Sequence, residues 1–351
     1  MKCVVFGASG YAGAELLRVL SNHPHFEVVA VGGASAKGLK VRDLYPASSS
    51  AVGDLVFLDN SELMWVIRSE NVPLVFLALP HGESQRLVPE LLEATSHVID
   101  LAADFRIKDP TQYEQWYGHR HFCSELLDLA VYGLPELDRS NIEGARLVAV
   151  PGCYPTASTL AMAPLVRSGY TKGKVVVNAT SGVSGAGRSL RLESLAMSIL
   201  EDYRAYGLRT HRHTVEIENN LGVKAVFTPH LAPMKRGILA TCYLEPSESY
   251  LNKFSSLGQD QQDEELYELY SRFYESDSFV RLSRTPPSTG SVYGSNNVSI
   301  SVTYDKRTET FIALGAIDNL TKGAAGQGVQ CANLVVGLPE DSGLMQVGVW
   351  P

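Results

Sequence analysis

A single thiol stands in a context that could make it a nucleophile. Cys153 lies in the run Pro151-Gly152-Cys153-Tyr154-Pro155-Thr156, after apolar residues 147–150 and before small residues at 157–165. This pattern predicts a strand, a tight turn and a helix that begins near the cysteine. Unpaired backbone N–H groups and the helix dipole would lower the pKa of the thiol there and favour the thiolate. The alternative is a small buried thiol in a turn, because free cysteine is often buried.

Two histidines later in the chain could move protons for such a thiol. His211 and His213 flank Arg212, and a histidine close to a cysteine nucleophile can act as a general acid or base. Histidines at this spacing could also be half of a metal site or ordinary surface residues. Nothing in the sequence shows that either one meets Cys153 in space.

The N-terminal segment has the pattern of a dinucleotide-binding unit. The apolar run 3–6 is followed by Gly7-Ala8-Ser9-Gly10-Tyr11-Ala12-Gly13, then by a helical pattern and a second strand at 26–31. Glycines in such a turn let backbone N–H groups approach a pyrophosphate at the helix N-terminus. The pattern therefore predicts dinucleotide binding, with a purely structural turn as the alternative.

The residues after the second strand favour NADP over NAD. An NAD site usually carries an Asp or Glu there for the ribose 2′-hydroxyl, but residues 31–40 contain no acid. Ser35, Lys37 and Lys40 could bind a 2′-phosphate instead. The alternative is a solvated loop with two surface lysines.

Polar residues elsewhere could contact an anionic substrate. Arg106 follows a predicted strand, where doubly wound sheets meet their ligands. The glycine- and serine-rich run 180–188 offers backbone N–H groups, hydroxyls and a terminal cation to an anion. A surface salt bridge at Arg106 and a plain flexible loop at 180–188 are the alternatives.

The hydrophobic pattern changes between the two halves of the chain. The continuous apolar run 74–79 is typical of a parallel strand buried on both faces. Apolar and polar residues alternate at 298–304, as in an antiparallel sheet with one wet face. We predict an α/β chain with a Rossmann-type, doubly wound parallel sheet domain and an α+β domain whose mixed sheet is largely antiparallel. Cys153 falls at their junction.

Composition excludes several classes of protein. The chain has 351 residues, 45% of them hydrophobic, and a net charge of −8 without a long basic run, which argues against a nucleic-acid partner. No stretch reaches the roughly 20 apolar residues of a membrane span. The five cysteines lack a short regular spacing, so we predict no disulfide framework and a cytoplasmic, reducing location. The cluster His119, His121 and Cys123 lacks a further ligand in sequence, so we predict no metal site.

Taken in order, these motifs resemble the semialdehyde dehydrogenase superfamily, and within it the N-acetyl-γ-glutamyl-phosphate reductases. The resemblance covers nearly the whole chain. It rests on the glycine turn 7–15, Leu79-Pro80-His81-Gly82, Ala103-Asp104-Phe105-Arg106, Trp116-Tyr117-Gly118-His119, Tyr132-Gly133-Leu134-Pro135-Glu136, the cysteine run 151–156, the run 181–188, His211-Arg212-His213 and the run 318–327. Two positions depart from the pattern: Val215 stands where proline is usual, and Gly328 where alanine is common.

The resemblance implies an NADP-dependent reductase of an acyl phosphate in arginine biosynthesis. Cys153 would attack the acyl carbon, phosphate would leave, and NADPH would reduce the thioacyl intermediate to the semialdehyde. We expect His211 to protonate the resulting oxyanion, with His213 as a substrate contact or as its substitute. There are two alternatives. One is a reductase of a related acyl phosphate, either aspartyl phosphate or carrier-bound aminoadipyl phosphate, and the other is a non-catalytic NADP-binding regulator.

The resemblance also implies domains and site residues. A discontinuous cofactor domain, 1–150 with 325–351, would accompany a catalytic and dimerisation domain, 151–324, in a homo-oligomer (a dimer or a tetramer). The cofactor-binding residues would be Gly7, Ser9, Gly10, Tyr11, Gly13, Ser35, Lys37, Asn319, Gly323 and Gln327. The substrate-binding residues would be Arg106, Ser181, Ser184 and Arg188.

Overall fold

The structure, a computed structural model, describes residues 1–48, 50–188 and 196–349. The chain divides into two compact units. The N-terminal unit consists of Met1–Pro151 with Ala324–Gln346, and the C-terminal unit consists of Gly152–Gly323 with the residues from Val347 onward. Helices and strands are numbered below in chain order.

The N-terminal unit is built on a seven-stranded sheet whose pairings are all parallel. The strands lie in the order β3-β2-β1-β4-β5-β7-β6. Their bounds are β1 Lys2–Phe6, β2 Glu27–Gly32, β3 Phe57–Leu58, β4 Leu74–Leu77, β5 His97–Asp100, β6 Val131–Tyr132 and β7 Leu147–Ala149. The side chains of β4 are fully buried, as expected for a parallel strand covered on both faces.

Helices connect these strands, and one helix comes from the far end of the chain. They are α1 Tyr11–Leu20, α2 Val41–Leu44, α3 Ser50–Gly53, α4 Asn60–Glu70, α5 Ser84–Ala94, α6 Thr111–Tyr117, α7 Pro135–Ile142 and α13 Gly326–Val335. α13 packs against α1, α7 and β5, and all its residues are buried. In the described parts of the chain, no helix has the length and apolar character needed to cross a membrane.

The C-terminal unit contains a second seven-stranded sheet, in the order β12-β13-β14-β11-β8-β10-β9. Its strands are β8 Thr171–Gly182, β9 Arg204–Ala205, β10 Ala225–Ala232, β11 Ile238–Pro246, β12 Val280–Leu282, β13 Val298–Asp305 and β14 Thr310–Ile317. Four of its pairings are antiparallel, and the pairs β8–β10 and β12–β13 are parallel. The predicted fold class, a parallel sheet followed by a mixed and largely antiparallel one, is therefore confirmed.

The helices of this unit are α8 Cys153–Arg167, α9 Ala196–Ile199, α10 His213–Leu221, α11 Glu248–Phe254 and α12 Gln259–Phe273. Of these, α8, α10, α11 and α12 cover one face of the sheet. α8 is buried from Tyr154 to Leu165 and packs on β11, β14 and β8. On the opposite face, strand register aligns Val226, Val176, Tyr243 and Ile312 in one row. Val226 is 47% exposed and Tyr243 is 39% exposed, so this row forms an open apolar stripe.

One local prediction needs correction. The run 180–188 is not one loop, because β8 continues to Gly182 through its pairing with β10 and β11, and only a 3-10 turn, Val183–Ala186, follows. There the strand pairing overrides the local glycine-rich composition. A π-helical turn, Thr321–Ala325, precedes α13.

Candidate active site

The N-terminus of α8 presents a half-buried thiol. Cys153 is the first residue of the helix, after the extended N-cap Gly152, which confirms the predicted strand, turn and helix. First-turn N–H groups have no acceptor within their helix, so this end attracts negative charge. Gly323 approaches so closely that a Cβ on it would lie 2.7 Å from Cβ of Cys153. Position 323 therefore requires glycine.

His213 and Glu216 pack against the residue that precedes the cysteine. The Gly152 N–H donates to Oε2 of Glu216 at 2.9 Å, and a Cβ on Gly152 would lie 2.4 Å from Nε2 of His213. That Nε2 is 3.8 Å from Oε1 of Glu216, and both side chains are buried. His213 and Glu216 are three residues apart on α10, so they share a face of the helix. An ionised Glu216 at this distance would stabilise the His213 ring if the ring took up a proton.

His211 has a different environment. The backbone N–H of His213 donates to its Nδ1 at 3.2 Å, so the proton of the neutral ring lies on Nε2. Burial and, after it, the charge of Arg212 lower the pKa of His211 to about 4. The ring is therefore neutral near pH 7 and can donate a hydrogen bond through Nε2.

Two tyrosines adjoin the histidines. The ring centroid of Tyr154 lies 5.7 Å from that of His211 and 5.8 Å from that of His213. The Tyr206 hydroxyl donates to the Tyr154 hydroxyl at 3.1 Å, and the Tyr154 hydroxyl donates to the carbonyl of His230 at 3.0 Å. Burial raises the pKa of Tyr206 to about 12, and a thiolate at Cys153 adds to this rise. Both phenols are thus within electrostatic reach of the thiol.

The residues predicted to bind the substrate anion occupy three kinds of position. Ser181 is buried near the end of β8, and its hydroxyl donates to the carbonyl of Gly182 at 3.0 Å. Ser184 is half-buried in the turn that follows, and Arg188 is exposed at the end of the described segment 50–188. Arg106 belongs to the N-terminal unit, where its guanidinium donates to the carbonyl of Leu101 at 2.9 Å.

Asn319, predicted to bind the cofactor, is buried and joined to this turn. The Gly237 N–H donates to its Oδ1 at 2.6 Å, and its Nδ2 donates to Oγ of Ser184 at 2.9 Å. The neighbouring Asp318 pairs with Arg236 at 2.7 Å. Both polar atoms of the Asn319 amide are therefore engaged by the protein itself.

The glycine turn of the N-terminal unit fits a dinucleotide. Gly7 has a φ of +70°, and a Cβ there would lie 2.3 Å from the carbonyl oxygen of Ala78. A Cβ on Gly13 would lie 2.4 Å from the carbonyl oxygen of Gly7. A Cβ on Gly10, the extended N-cap of α1, would meet only that same oxygen, at 3.5 Å. The turn is thus tightly packed against backbone atoms at Gly7 and Gly13 but open at Gly10, at the N-terminus of α1. A pyrophosphate binds at such a helix N-terminus.

The other residues of this turn surround the same opening. Tyr11 is the first residue of α1 and is 40% exposed. Ser9 is nearly buried, and the Tyr45 hydroxyl donates to its carbonyl at 2.5 Å. Tyr45 therefore fixes the backbone of the turn from a position 36 residues away.

The residues predicted to meet a 2′-phosphate are exposed and partly paired. Ser35 lies in a 3-10 turn, Ala34–Ala36, directly after β2. Lys37 pairs with Asp59 and, at 3.2 Å, with Glu62, and these carboxylates raise its pKa. Exposed pairs of this kind are weak, so a phosphate can compete for the lysine.

Gln327 lies in α13 of the N-terminal unit. Its Nε2 donates to the carbonyl of Gly133 at 2.7 Å, and its buried Oε1 has no hydrogen-bond partner within the described residues. Its predicted contact with the cofactor stays a prediction.

No metal cluster is present in residues 1–48, 50–188 and 196–349: nowhere do three or more His, Cys, Asp or Glu side chains converge as ligands. In the His119 to Cys123 segment, backbone groups occupy both nitrogens of His121. Its Nε2 donates to the carbonyl of Asp104 at 2.7 Å, and its Nδ1 accepts from the Cys123 N–H at 3.3 Å.

Both units match known sequence families. Residues 2–145 match the family described as "Semialdehyde dehydrogenase, NAD binding domain", and residues 153–319 match "Semialdehyde dehydrogenase, dimerisation domain". The chain belongs to the semialdehyde dehydrogenase family. Relatives named N-acetyl-gamma-glutamyl-phosphate reductase align with this chain over its full length. The one from Dehalococcoides mccartyi is 42% identical, covering 100% of this chain and 99% of the relative. The one from Symbiobacterium thermophilum is 44% identical, covering 99% of this chain and 98% of the relative.

Solved structures of the family share the fold. Aspartate semialdehyde dehydrogenase II from Vibrio cholerae superposes with a TM-score of 0.69 at 16% identity, covering 96% of this chain and 98% of that one. The aspartate semialdehyde dehydrogenase from Candida albicans gives a TM-score of 0.66 at 16% identity, covering 95% of this chain and 97% of that one. At such identities the likeness concerns the fold alone.

Sequence reasoning missed several residues that organise the site. Glu216 was detectable in principle, because its spacing of three from His213 places both on one helix face. Tyr206 lies in an irregular segment and gives no such signal. Tyr45 likewise reaches the glycine turn only through the tertiary fold.

Proposed function

We propose that this semialdehyde dehydrogenase reduces N-acetyl-γ-glutamyl phosphate to N-acetylglutamate 5-semialdehyde with NADPH and releases phosphate, a step of arginine biosynthesis. The observation that carries the proposal is the end-to-end identity of 41–44% to relatives that bear this reductase name. The thiol at the start of α8, with two histidines and a glutamate around it, supports the same chemistry.

The first step assigned to the chain is acylation of Cys153. The thiolate sulfur attacks the γ-carbonyl carbon, a C–S bond forms, and the C–O bond to phosphate breaks. The N-terminal N–H groups of α8 stabilise negative charge on the carbonyl oxygen. Ser181, Ser184 and Arg188 supply hydroxyls and a cation for the leaving phosphate, and Arg106 is a further candidate.

The two histidines take different parts in proton transfer. His213, beside Glu216, accepts the thiol proton as the thiolate forms, because the carboxylate stabilises the imidazolium. His211 stays neutral and donates its Nε2–H to the carbonyl oxygen, since its pKa is lowered to about 4. This modifies the expectation that His211 acts as a protonated acid.

The cofactor is NADP, which when bound as NADPH supplies the hydride that converts the thioacyl group to the aldehyde level. The turn Gly7 to Gly13 would hold its pyrophosphate, since the open N-terminus of α1 presents unpaired N–H groups there. Ser35 and Lys37 would hold its 2′-phosphate. Gly323 and Gln327 are candidates for the nicotinamide side, whereas both polar atoms of Asn319 are engaged within the protein.

The C-terminal unit carries the dimerisation domain of the family, so the chain acts as a homo-oligomer. We infer a dimer or tetramer in which the open apolar stripe of the sheet is covered by a second copy. Light scattering should give the mass of an oligomer for the wild type and a smaller mass for Tyr243→Lys. An unchanged mass for the variant would exclude this surface.

We infer a cytoplasmic location from the five cysteines, all of which are free thiols. Fractionation of the native cells should place the protein with cytoplasmic markers. Recovery with an oxidising compartment would contradict the inference.

Replacing the nucleophile tests the proposed mechanism. Cys153→Ser should lower NADP-dependent turnover by orders of magnitude, while NADP still binds in a fluorescence titration. Cys123→Ser is the matched control, because this buried thiol donates to the carbonyl of Gln85 at 3.2 Å, a bond that serine can keep. Retained turnover in Cys153→Ser would reject the thioacyl mechanism.

Acyl specificity is tested in the reverse direction. Phosphate-dependent oxidation of N-acetylglutamate semialdehyde and aspartate semialdehyde should be measured side by side. The first should be strongly preferred, and preference for the second would reject the assigned substrate.

A further inference from the structure

Asn319 and Ser184 form a contact that fixes the direction of a hydroxyl proton. The Gly237 N–H is a donor only, so the atom of Asn319 that it approaches at 2.6 Å is the amide oxygen. The NH₂ group must therefore face the other way, toward Oγ of Ser184 at 2.9 Å. Asn319 is 3% exposed, which leaves it little freedom to turn over.

This contact uses Ser184 as an acceptor. A hydroxyl has one proton and two lone pairs, and here one lone pair receives the amide N–H. Within the described residues Oγ of Ser184 has no other hydrogen bond. Its proton therefore points away from Asn319, and none of the described residues accepts it.

The backbone of the turn is held independently of Asn319. The Val183 N–H donates to the carbonyl of Met234 at 2.9 Å, and the Ser184 N–H donates to that of Lys235 at 3.1 Å. The Gly182 N–H donates to the carbonyl of Gly237 at 2.9 Å. A change at Asn319 can therefore redirect the hydroxyl without releasing the turn.

We propose that Asn319 is a positioning residue, which orients the Ser184 hydroxyl so that it donates its proton to the phosphate group of the acyl phosphate. The proposal rests on the proposed function and deepens it, because the acceptor is the group that leaves from the acyl carbon. It gives Asn319 a role distinct from cofactor contact.

Asn319→Asp is the discriminating substitution. The carboxylate keeps an acceptor for the Gly237 N–H but presents an acceptor to Ser184, so the hydroxyl turns round and donates to position 319. Ser184→Ala removes the hydroxyl altogether. Loss of a hydrogen bond to a charged group should raise the KM for inorganic phosphate, in the reverse reaction, about 10- to 100-fold in either variant. The KM should rise more than kcat falls, and the Kd of NADP should not change.

The double variant separates orientation from charge. In a Ser184→Ala background, Asn319→Asp should raise the phosphate KM by a clearly smaller factor than in the wild type, because no hydroxyl remains to be turned. Asn252→Asp, which adds the same charge at an exposed position of α11, controls for general repulsion. An equal factor in both backgrounds, or a raised Kd of NADP in place of a raised KM, would overturn the proposal.

Phosphate binding measured by calorimetry keeps this test independent of turnover. If the wild type binds phosphate and both variants weaken binding, while N-acetylglutamate semialdehyde is not oxidised, the positioning role holds and the proposed function fails. If phosphate binds equally well to all three proteins, the positioning role is wrong whatever the substrate.

Discussion

Asp100, the last residue of β5, should make the stability of the protein depend on pH. It is fully buried, its Oδ1 accepts from the Ala102 N–H at 2.9 Å, and its Oδ2 has no hydrogen-bond partner within the described residues. Burial, and then the negative charge of Asp104, raise its pKa from 3.8 to about 7. Between those values the folded state holds a proton that the unfolded state has lost. The free energy of unfolding therefore falls as pH rises from about 4 to about 7.

Asp100→Asn should remove this dependence. Asparagine stays neutral and keeps an acceptor for the Ala102 N–H. At about 1.4 kcal/mol per pKa unit, a shift of about three units amounts to roughly 4 kcal/mol. At pH 8 the variant should therefore be more stable than the wild type by up to about 4 kcal/mol, and the difference should vanish near pH 4.

Denaturant unfolding from pH 4 to 8.5 measures the effect. The difference between wild type and variant is the useful quantity, because titrating groups that do not interact with Asp100 contribute equally to both proteins. Asp260→Asn, an exposed position in the first turn of α12, serves as the control and should give no such trend. A difference that is constant with pH, or that grows toward low pH, would refute the reasoning.

Two further predictions concern the thiol and its surroundings. Gly323→Ala should slow alkylation of Cys153 by iodoacetamide and lower turnover at least tenfold, because the new methyl would lie 2.7 Å from Cβ of the cysteine. Gly258→Ala is the matched control, because the nearest atom to its new methyl is 3.8 Å away. Equal effects of the two substitutions would contradict the steric argument. Glu216→Gln keeps an acceptor for the Gly152 N–H but removes the charge beside His213, so kcat/KM should fall about 10- to 100-fold. Glu218→Gln on the same helix is the control and should have little effect on kcat/KM. Full activity of Glu216→Gln would exclude the carboxylate from the mechanism.

The features predicted correctly from the sequence have local signals. The helix that begins at Cys153 follows from a glycine N-cap, a proline in the first turn and a run of small residues. The parallel sheet follows from apolar runs such as β4, and the second sheet follows from the alternation in β13. Each signal lies within about ten residues of chain, so no tertiary contact is needed to detect it.

The features that the sequence could not give depend on distant partners. Ser184 and Asn319 are 135 residues apart, and Asn319 and Gly237 are 82 apart. The length of β8 likewise depends on its pairing with β10 and β11. Such contacts leave no periodicity in the chain, and a single sequence contains no covariation from which to infer them.

The two histidines show why residue type and sequence spacing alone cannot assign catalytic roles. His211 and His213 are the same residue two positions apart, yet one has a backbone N–H at Nδ1 and the other has Glu216 3.8 Å from Nε2. Burial lowers the pKa of His211 to about 4, so its ring is neutral at pH 7. In the proposed mechanism, His211 is therefore poorly suited to take up the proton of Cys153, whereas its Nε2–H is suited to donate to an oxyanion. The same mechanism needs a base whose protonated form is stabilised locally, which is why we assign that role to His213, beside the buried Glu216.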